Sequence, residues 1–201
     1  MIGGRWLSGL MRRRGDPPRL LLDGLLLRPP RETDFPTWSA LRQASRIHLA
    51  PWEPLWPEDD LTFQGFRRRL KQNQDELHQG VGCQFLIFST DETQLYGGIT
   101  LSNIRRRAAQ SATIGYWMGA PHIGKGLMTH ALNGLCLHAF STLDLKRVEA
   151  ACLPENAASI RVLEKAGFTR EGLARAYLNI AGQRRDHLLF ARLADDTLPC
   201  G

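Results

Sequence analysis

The chain has 201 residues, 43% apolar and 23% charged, the balance of one globular domain with a sizeable core rather than two full domains. Its formal charge of +6 suits an acidic partner such as nucleic acid, a ribosome or a phosphorylated cofactor, without choosing among them. Four scattered cysteines, Cys83, Cys136, Cys152 and Cys200, form no CxxC pair and no Cys/His ligand spacing, which argues against a disulfide framework or a metal site and for reduced thiols.

Residues 1–19 read as a flexible basic leader, because its arginines follow a short glycine-broken apolar stretch, the wrong order for a signal peptide. No later stretch reaches the roughly 18 unbroken apolar residues of a membrane span, so a cytoplasmic protein is expected. "LLLDGLLLRPP" then reads as a first strand or hairpin closed by Pro29-Pro30. "RETDFPTWSALRQAS" is a helix with a cap-like Thr33-Asp34 and apolar spacing at Trp38, Leu41 and Ala44. "HLAPWEPLWPEDD" is too proline-rich for a regular element, and an amphipathic helix follows with Leu61, Phe63, Phe66, Leu70 and Leu77, ended by Gly80.

"CQFLIFSTDETQLYGGITLSNI" predicts a hairpin about Thr90–Thr93, and "SATIGYWMG" a further strand. Leu127, Ala131, Leu135, Leu137 and Ala139 fall on or near one helical face. "KRVEAACLPEN" alternates as a strand with Val148, Ala150 and Cys152 on one side. A short helix after it is capped by Asn156 and stopped by Gly167. Two closing strands flank a turn at Ala181-Gly182. The order argues for an α/β (α+β) fold, one mixed sheet covered by helices, over residues 20–194 with a tail at 195–201. The runs Arg12–Arg14, Arg67–Arg69 and Arg105–Arg107 are open to two readings, phosphate contacts or solvated faces; none interleaves with aromatics as a nucleic-acid platform would.

The informative stretch is "PHIGKGLMTH", Pro121 to His130. A strand turning through Gly119, Gly124 and Gly126 into a helix leaves the first helical N–H groups pointing outward, where the helix dipole and Lys125 favour an anion. The chemistry suits a pyrophosphate; a tight strand-to-helix turn is the alternative reading. The P-loop pattern GxxxxGK[ST] is absent, and GxGxxG fails at Thr129.

Together with "PENAASIRVLEKAGF" about thirty residues later, this corner resembles the GNAT acetyltransferase superfamily. "PWEP", "GKGLM", "NAAS", "LEKAGF", "REG" and "YLNIAGQRRDHLLFARL", in that order along roughly Leu25 to Leu193, are similar to the RimJ-type ribosomal-protein-alanine N-acetyltransferases. The resemblance implies a mostly antiparallel central sheet splayed after its fourth strand, with acetyl-CoA as cosubstrate. Its pyrophosphate would sit on a (Gln/Arg)-x-x-Gly-x-(Gly/Ala) loop, here Pro121 to Gly126. Pro121 departs from that pattern and offers no N–H, so the phosphate contacts fall to the backbone of Ile123, Gly124, Lys125, Gly126 and Leu127. The same resemblance implies a pantetheine arm paired along Tyr116, Trp117 and Met118, with Asn156 and Ser159 facing the cofactor.

Acetyl transfer to an amine needs a neutral nucleophile, a polarised thioester carbonyl and a proton for the departing thiolate. By resemblance the Met118 N–H polarises the carbonyl. The family's tyrosine, four residues before the Gly-Phe pair, is Leu163 here, which leaves Ser159 as the hydroxyl beside the sulfur. Glu53 is the leading candidate for drawing off the amine proton or holding the ammonium, or else an exposed loop acid. Trp52 is an acceptor wall or a core plug. Tyr177 and Asp186 are weaker candidates for acceptor contacts, and His187 reads as a strand histidine with a backbone partner. A covalent route through Cys83 or Cys152 is disfavoured by their apolar strand settings. An α-amine, with a pKa of about 7.7–8.0, is roughly a tenth neutral at pH 7, whereas a lysine is neutral about once in a few thousand molecules, so an N-terminal acceptor asks little of the enzyme. The expected activity is therefore direct acetylation of a protein N-terminus, with a small-molecule amine (polyamine, aminoglycoside or other) and a non-catalytic CoA-binding module in ribosome assembly or RNA contact as alternatives. A homodimer is also in keeping with the resemblance.

Overall fold

An opening hairpin, β1 (Leu20–Leu22) and β2 (Leu25–Arg28), turns at Asp23-Gly24 in a computed structural model that describes residues 18–197. Arg12–Arg14, most of the leader and Cys200 lie outside the described residues. Helix α1 (Phe35–Ala44) follows. Its expected cap does another job: the Asp34 carboxylate accepts from the Arg31 N–H at 2.7 Å and holds the buried Arg28 guanidinium through two 2.7 Å bonds. The proline-rich stretch is not wholly irregular as expected: α2 (Arg46–Leu49) runs into a 3-10 turn at Ala50–Trp52. Pro51 sits in the first turn, where no N–H is needed, so it is compatible with helical backbone.

Helix α3 (Phe63–Gln79) is capped by Thr62, whose hydroxyl accepts from the Gly65 N–H, and ends at left-handed Gly80. Strands β3 (Cys83–Phe88), β4 (Leu95–Arg105) and β5 (Ser111–Met118) form a meander. A 3-10 turn at Ala120–His122 leads to α4 (Leu127–Ser141), β6 (Arg147–Cys152), α5 (Ala157–Lys165), β7 (Thr169–Ile180) and β8 (Gln183–Leu193).

The eight strands make one sheet in the order β1-β2-β3-β4-β5-β6-β8-β7, antiparallel except between β5 and β6. That parallel pair holds only from Ser111 to Thr113, opposite Arg147 to Glu149, and the two strands diverge beyond it. The splay follows the fifth strand here, because the opening hairpin contributes two.

Alternation along the strands sends side chains to two cores. Phe85, Ile87, Ile99, Leu101, Val148 and Phe190 pack with α4 and α5 on one face. Leu86, Phe88 and Leu95 meet Trp38, Phe66 and Leu70 of α1 and α3 on the other. Each fully buried side chain of this kind contributes about 1.5–3 kcal/mol. Leu137 departs from the expected apolar face of α4 and is 46% exposed. The basic runs are tied into the surface: Arg67, Arg68 and Arg69 pair with Glu32, Asp59 and Asp60, and Arg105 with Glu149. Among the described residues no helix is long and apolar enough to cross a membrane, and no His/Cys/Asp/Glu group could hold a metal ion.

Candidate functional site

Where β5 and β6 part, a cavity of about 1070 Å³ runs through the sheet. Strand parity gives it two sides. Tyr116 and Met118 belong with the α4–α5 core, whereas Trp117, between them, packs with α1 and α3. The cavity therefore meets Gly124, Gly126, Asn156 and Ser159 on one side and Trp52 and Glu53 on the other.

On the α4 side, Gly124 and Gly126 have φ of +74° and +76°, a left-handed backbone that glycine adopts without strain. A Cβ built at either position meets nothing within 4 Å, so the loop faces open space that a ligand can fill against bare main chain. No side chain caps α4, whose first N–H groups follow directly from Gly126. Ile123, Lys125 and Leu127 line the same cavity. His122 stands beside them; burial and the Lys125 charge hold its ring below the ordinary histidine range. These features fit the diphosphate of acetyl-CoA. Gly119 has a different role from the one expected: its φ is −61°, and a Cβ there would come within 2.5 Å of Leu41, so this glycine lets α1 approach the strand end.

At the splay, the Gly119 N–H donates to the Tyr96 carbonyl of β4 at 2.9 Å. N–H groups alternate in direction along a strand, so that of Met118 points away from β4, toward the splay. Asn156 caps α5, its Oδ1 accepting from the Ser159 N–H at 3.0 Å. That fixes the Ser159 hydroxyl, which lies 2.8 Å from the Tyr116 phenol. Leu163 is fully buried, as its apolar character requires. The phenol absent from the helix is thus delivered from the strand, and burial keeps it protonated by pushing its pKa up. Cys152 also lines the cavity, with Ser159 as a hydrogen-bond partner, and burial pushes its thiol up. Cys83 is pushed up to about 11 by burial. Neutral thiols suit direct transfer better than an acyl-cysteine route.

On the opposite side, Trp52 and Glu53 line the cavity. Both Glu53 oxygens are engaged: Arg42 donates to each at 2.8 Å and the Trp56 indole N–H to one at 2.7 Å. Of about four acceptor positions on the carboxylate, one is left. The Arg42 guanidinium also stacks over Trp56 at 4.1 Å and Trp117 at 5.0 Å, joining the loop to β5. Tyr177 and Asp186 are not brought into the lining. Asp186 accepts from the Ala176 N–H at 2.8 Å, closing a bulge of β7, and Tyr177 sets its ring edge-on to His187 at 5.7 Å. Sequence reasoning missed Tyr116 as a side chain, Cys152 and His187 as wall residues, and Arg42 as the anchor of Glu53. The period-2 alternation of "IGYWM" was the available signal, since it places Tyr116 and Trp117 on opposite faces.

The acetyltransferase (GNAT) domain family model matches residues 24–169. Probable N-acetyltransferase YjcK of Bacillus subtilis (strain 168) is 37% identical over 172 residues, 86% of this chain and 95% of its own length. The [ribosomal protein uS5]-alanine N-acetyltransferase of Escherichia coli (strain K12) is 33% identical over 181 residues, 90% and 93% of the two chains. The solved structure of Mycobacterium smegmatis RimJ in complex with CoA-disulfide superposes with a TM-score of 0.82 at 35% identity, covering 89% of this chain and 87% of that one. Sequence, fold and glycine cradle agree: the chain belongs to the GNAT family and is an acetyl-CoA-dependent N-acetyltransferase.

Proposed function

We propose that the enzyme acetylates the N-terminal α-amine of a ribosomal protein that begins with a small residue such as alanine, in the cytoplasm and by direct transfer. The observation that carries this reading is the cavity through the splay, which presents a diphosphate cradle on one face and an aromatic-walled slot on the other. An acceptor face reached through the sheet suits a chain terminus, and an α-amine is roughly a tenth neutral at pH 7, far more than a lysine. The similarity to the uS5-alanine enzyme over nearly both full lengths supports the same choice. The excess positive charge favours encounter with the acidic ribosome.

When bound, acetyl-CoA supplies an activated acyl thioester. The Met118 N–H then donates to the acyl oxygen as charge gathers there. Ser159, backed by the Tyr116 hydroxyl at 2.8 Å, gives a proton to the departing sulfur. Glu53, anchored by Arg42 and Trp56, holds the acceptor loop and leaves one oxygen position for the incoming ammonium or its water.

The test is steady-state turnover with an Ala-starting ribosomal peptide, the same peptide blocked at its N-terminus, and a polyamine. The expected result is acetylation of the free N-terminus alone, with loss of one ribosomal N-terminal acetyl group in cells lacking the protein. Turnover on the polyamine with none on the peptide would overturn the N-terminal assignment.

A further inference from the structure

Direct transfer leaves one proton unassigned, the one on the attacking nitrogen, and the residue that takes it must stand on the acceptor face. This inference rests on the N-terminal reading above. Besides Glu155, which is paired with Arg185 of β8, the lining there offers Glu53, His48 and His187 to take that proton. Glu53 takes three donors from Arg42 and Trp56, and its one open position serves to hold the amine beside a carboxylate already neutralised by Arg42. His48 sits half-exposed on the single turn α2. His187 is 3% exposed and rigidly placed.

Its placement follows from β8. Leu188 and Phe190 face the α4–α5 core, and Arg192 donates to Asn133 and the Ala166 carbonyl on that side. His187 therefore faces the other way, onto the acceptor side that Trp117 shares. The Glu53 loop is tied to the same hairpin, because the Ala181 N–H donates to the Glu53 carbonyl at 3.0 Å. Within the ring, Nδ1 lies 3.0 Å from the Arg185 carbonyl. A carbonyl only accepts, so Nδ1 carries the proton of the neutral imidazole and Nε2 keeps its lone pair. The Tyr177 ring, edge-on at 5.7 Å, restrains the imidazole from the neighbouring strand. The backbone partner read from the sequence thus has a chemical consequence: it selects the tautomer with a basic nitrogen left over.

We propose that His187 is the catalytic base. As the amine nitrogen bonds to the acyl carbon, the C–S bond breaks and its electron pair leaves with sulfur. The proton lost by nitrogen passes to His187 Nε2, and sulfur receives its proton from the Ser159 side. Once the products depart, the imidazolium releases its proton to water in the open cavity and the Ser159–Tyr116 pair regains one from the same water, so both groups are restored.

The test compares wild type, His187→Ala and His187→Gln with an Ala-starting peptide, with acetyl-CoA affinity measured by calorimetry. Both variants are expected to lose about 100-fold or more in kcat, within the range for a general base, while acetyl-CoA Kd stays within about threefold. Added imidazole is expected to restore at least about tenfold in the alanine variant and little in the glutamine variant, whose side chain fills the space. Full kcat in either variant overturns the proposal. So does a loss that imidazole leaves unrestored in a variant that still binds acetyl-CoA, or loss of acetyl-CoA binding in both, either of which makes the ring a packing element. A wild type inactive on every peptide overturns the N-terminal reading and this assignment together; an active wild type beside equally active variants overturns the assignment alone.

Discussion

On the α4 side of the cavity the contacts come from main chain: bare glycines at φ of +74° and +76°, an uncapped helix start and a strand N–H at the splay. On the acceptor side they come from side chains held by other side chains, with Arg42 gripping Glu53 and stacking on two tryptophans, and Tyr177 restraining His187. A main-chain site depends on backbone shape and tolerates most neighbours. A side-chain site depends on every partner and can be retuned one residue at a time, so acceptor choice is the property this architecture leaves adjustable.

The comparison breaks most visibly at Arg42. An Arg42→Met variant leaves the Glu53 carboxylate without its cation and the buried Asp60 with Arg69 alone, and is expected to lose about 3 kcal/mol of unfolding free energy in urea titration. Peptide KM should rise while acetyl-CoA Kd changes less than about twofold; equal losses of both ligands would show that the two sides are one unit. Next in size is Gly124→Val with Gly126→Val. Valine is strained at both φ values, at about 1–2 kcal/mol of stability each, and fills the open space above the loop, so acetyl-CoA Kd should rise at least about tenfold in calorimetry, roughly 1.4 kcal/mol. Unchanged affinity in the folded variant would refute the cradle. The smallest effect is expected from Tyr116→Phe, which removes one hydroxyl from the Ser159 pair: kcat should fall about threefold with both ligand affinities kept, measured under saturation. A variant with full kcat would leave Ser159 acting without its phenol.

Much of the scaffold was legible because its signals are local. Asn156 caps α5 through the Ser159 N–H, Gly80 ends α3, and Val148, Ala150 and Cys152 point inward from β6 as their alternation implied. The glycine loop was legible for the same reason. What escaped were pairings across distance: Tyr116 with Ser159, Arg42 with Glu53, His187 against Tyr177 of the neighbouring strand. Each depends on which face a strand presents after the whole sheet has settled its register, and that is decided by tertiary burial rather than by neighbours in sequence. The helical turn at Ala50–Trp52 was hidden by composition, since proline breaks a helix only past its first turn.

Past Thr113, β5 is an edge strand in the interior of a sheet, with hydrogen-bonding groups from Gly115 onward that β6 does not reach. A cosubstrate that lies along this edge completes the sheet and binds the folded chain alone. By mass action, a concentration one hundred times its Kd adds about 2.7 kcal/mol to the folded state. At that concentration the unfolded fraction is about a hundredfold smaller than without acetyl-CoA.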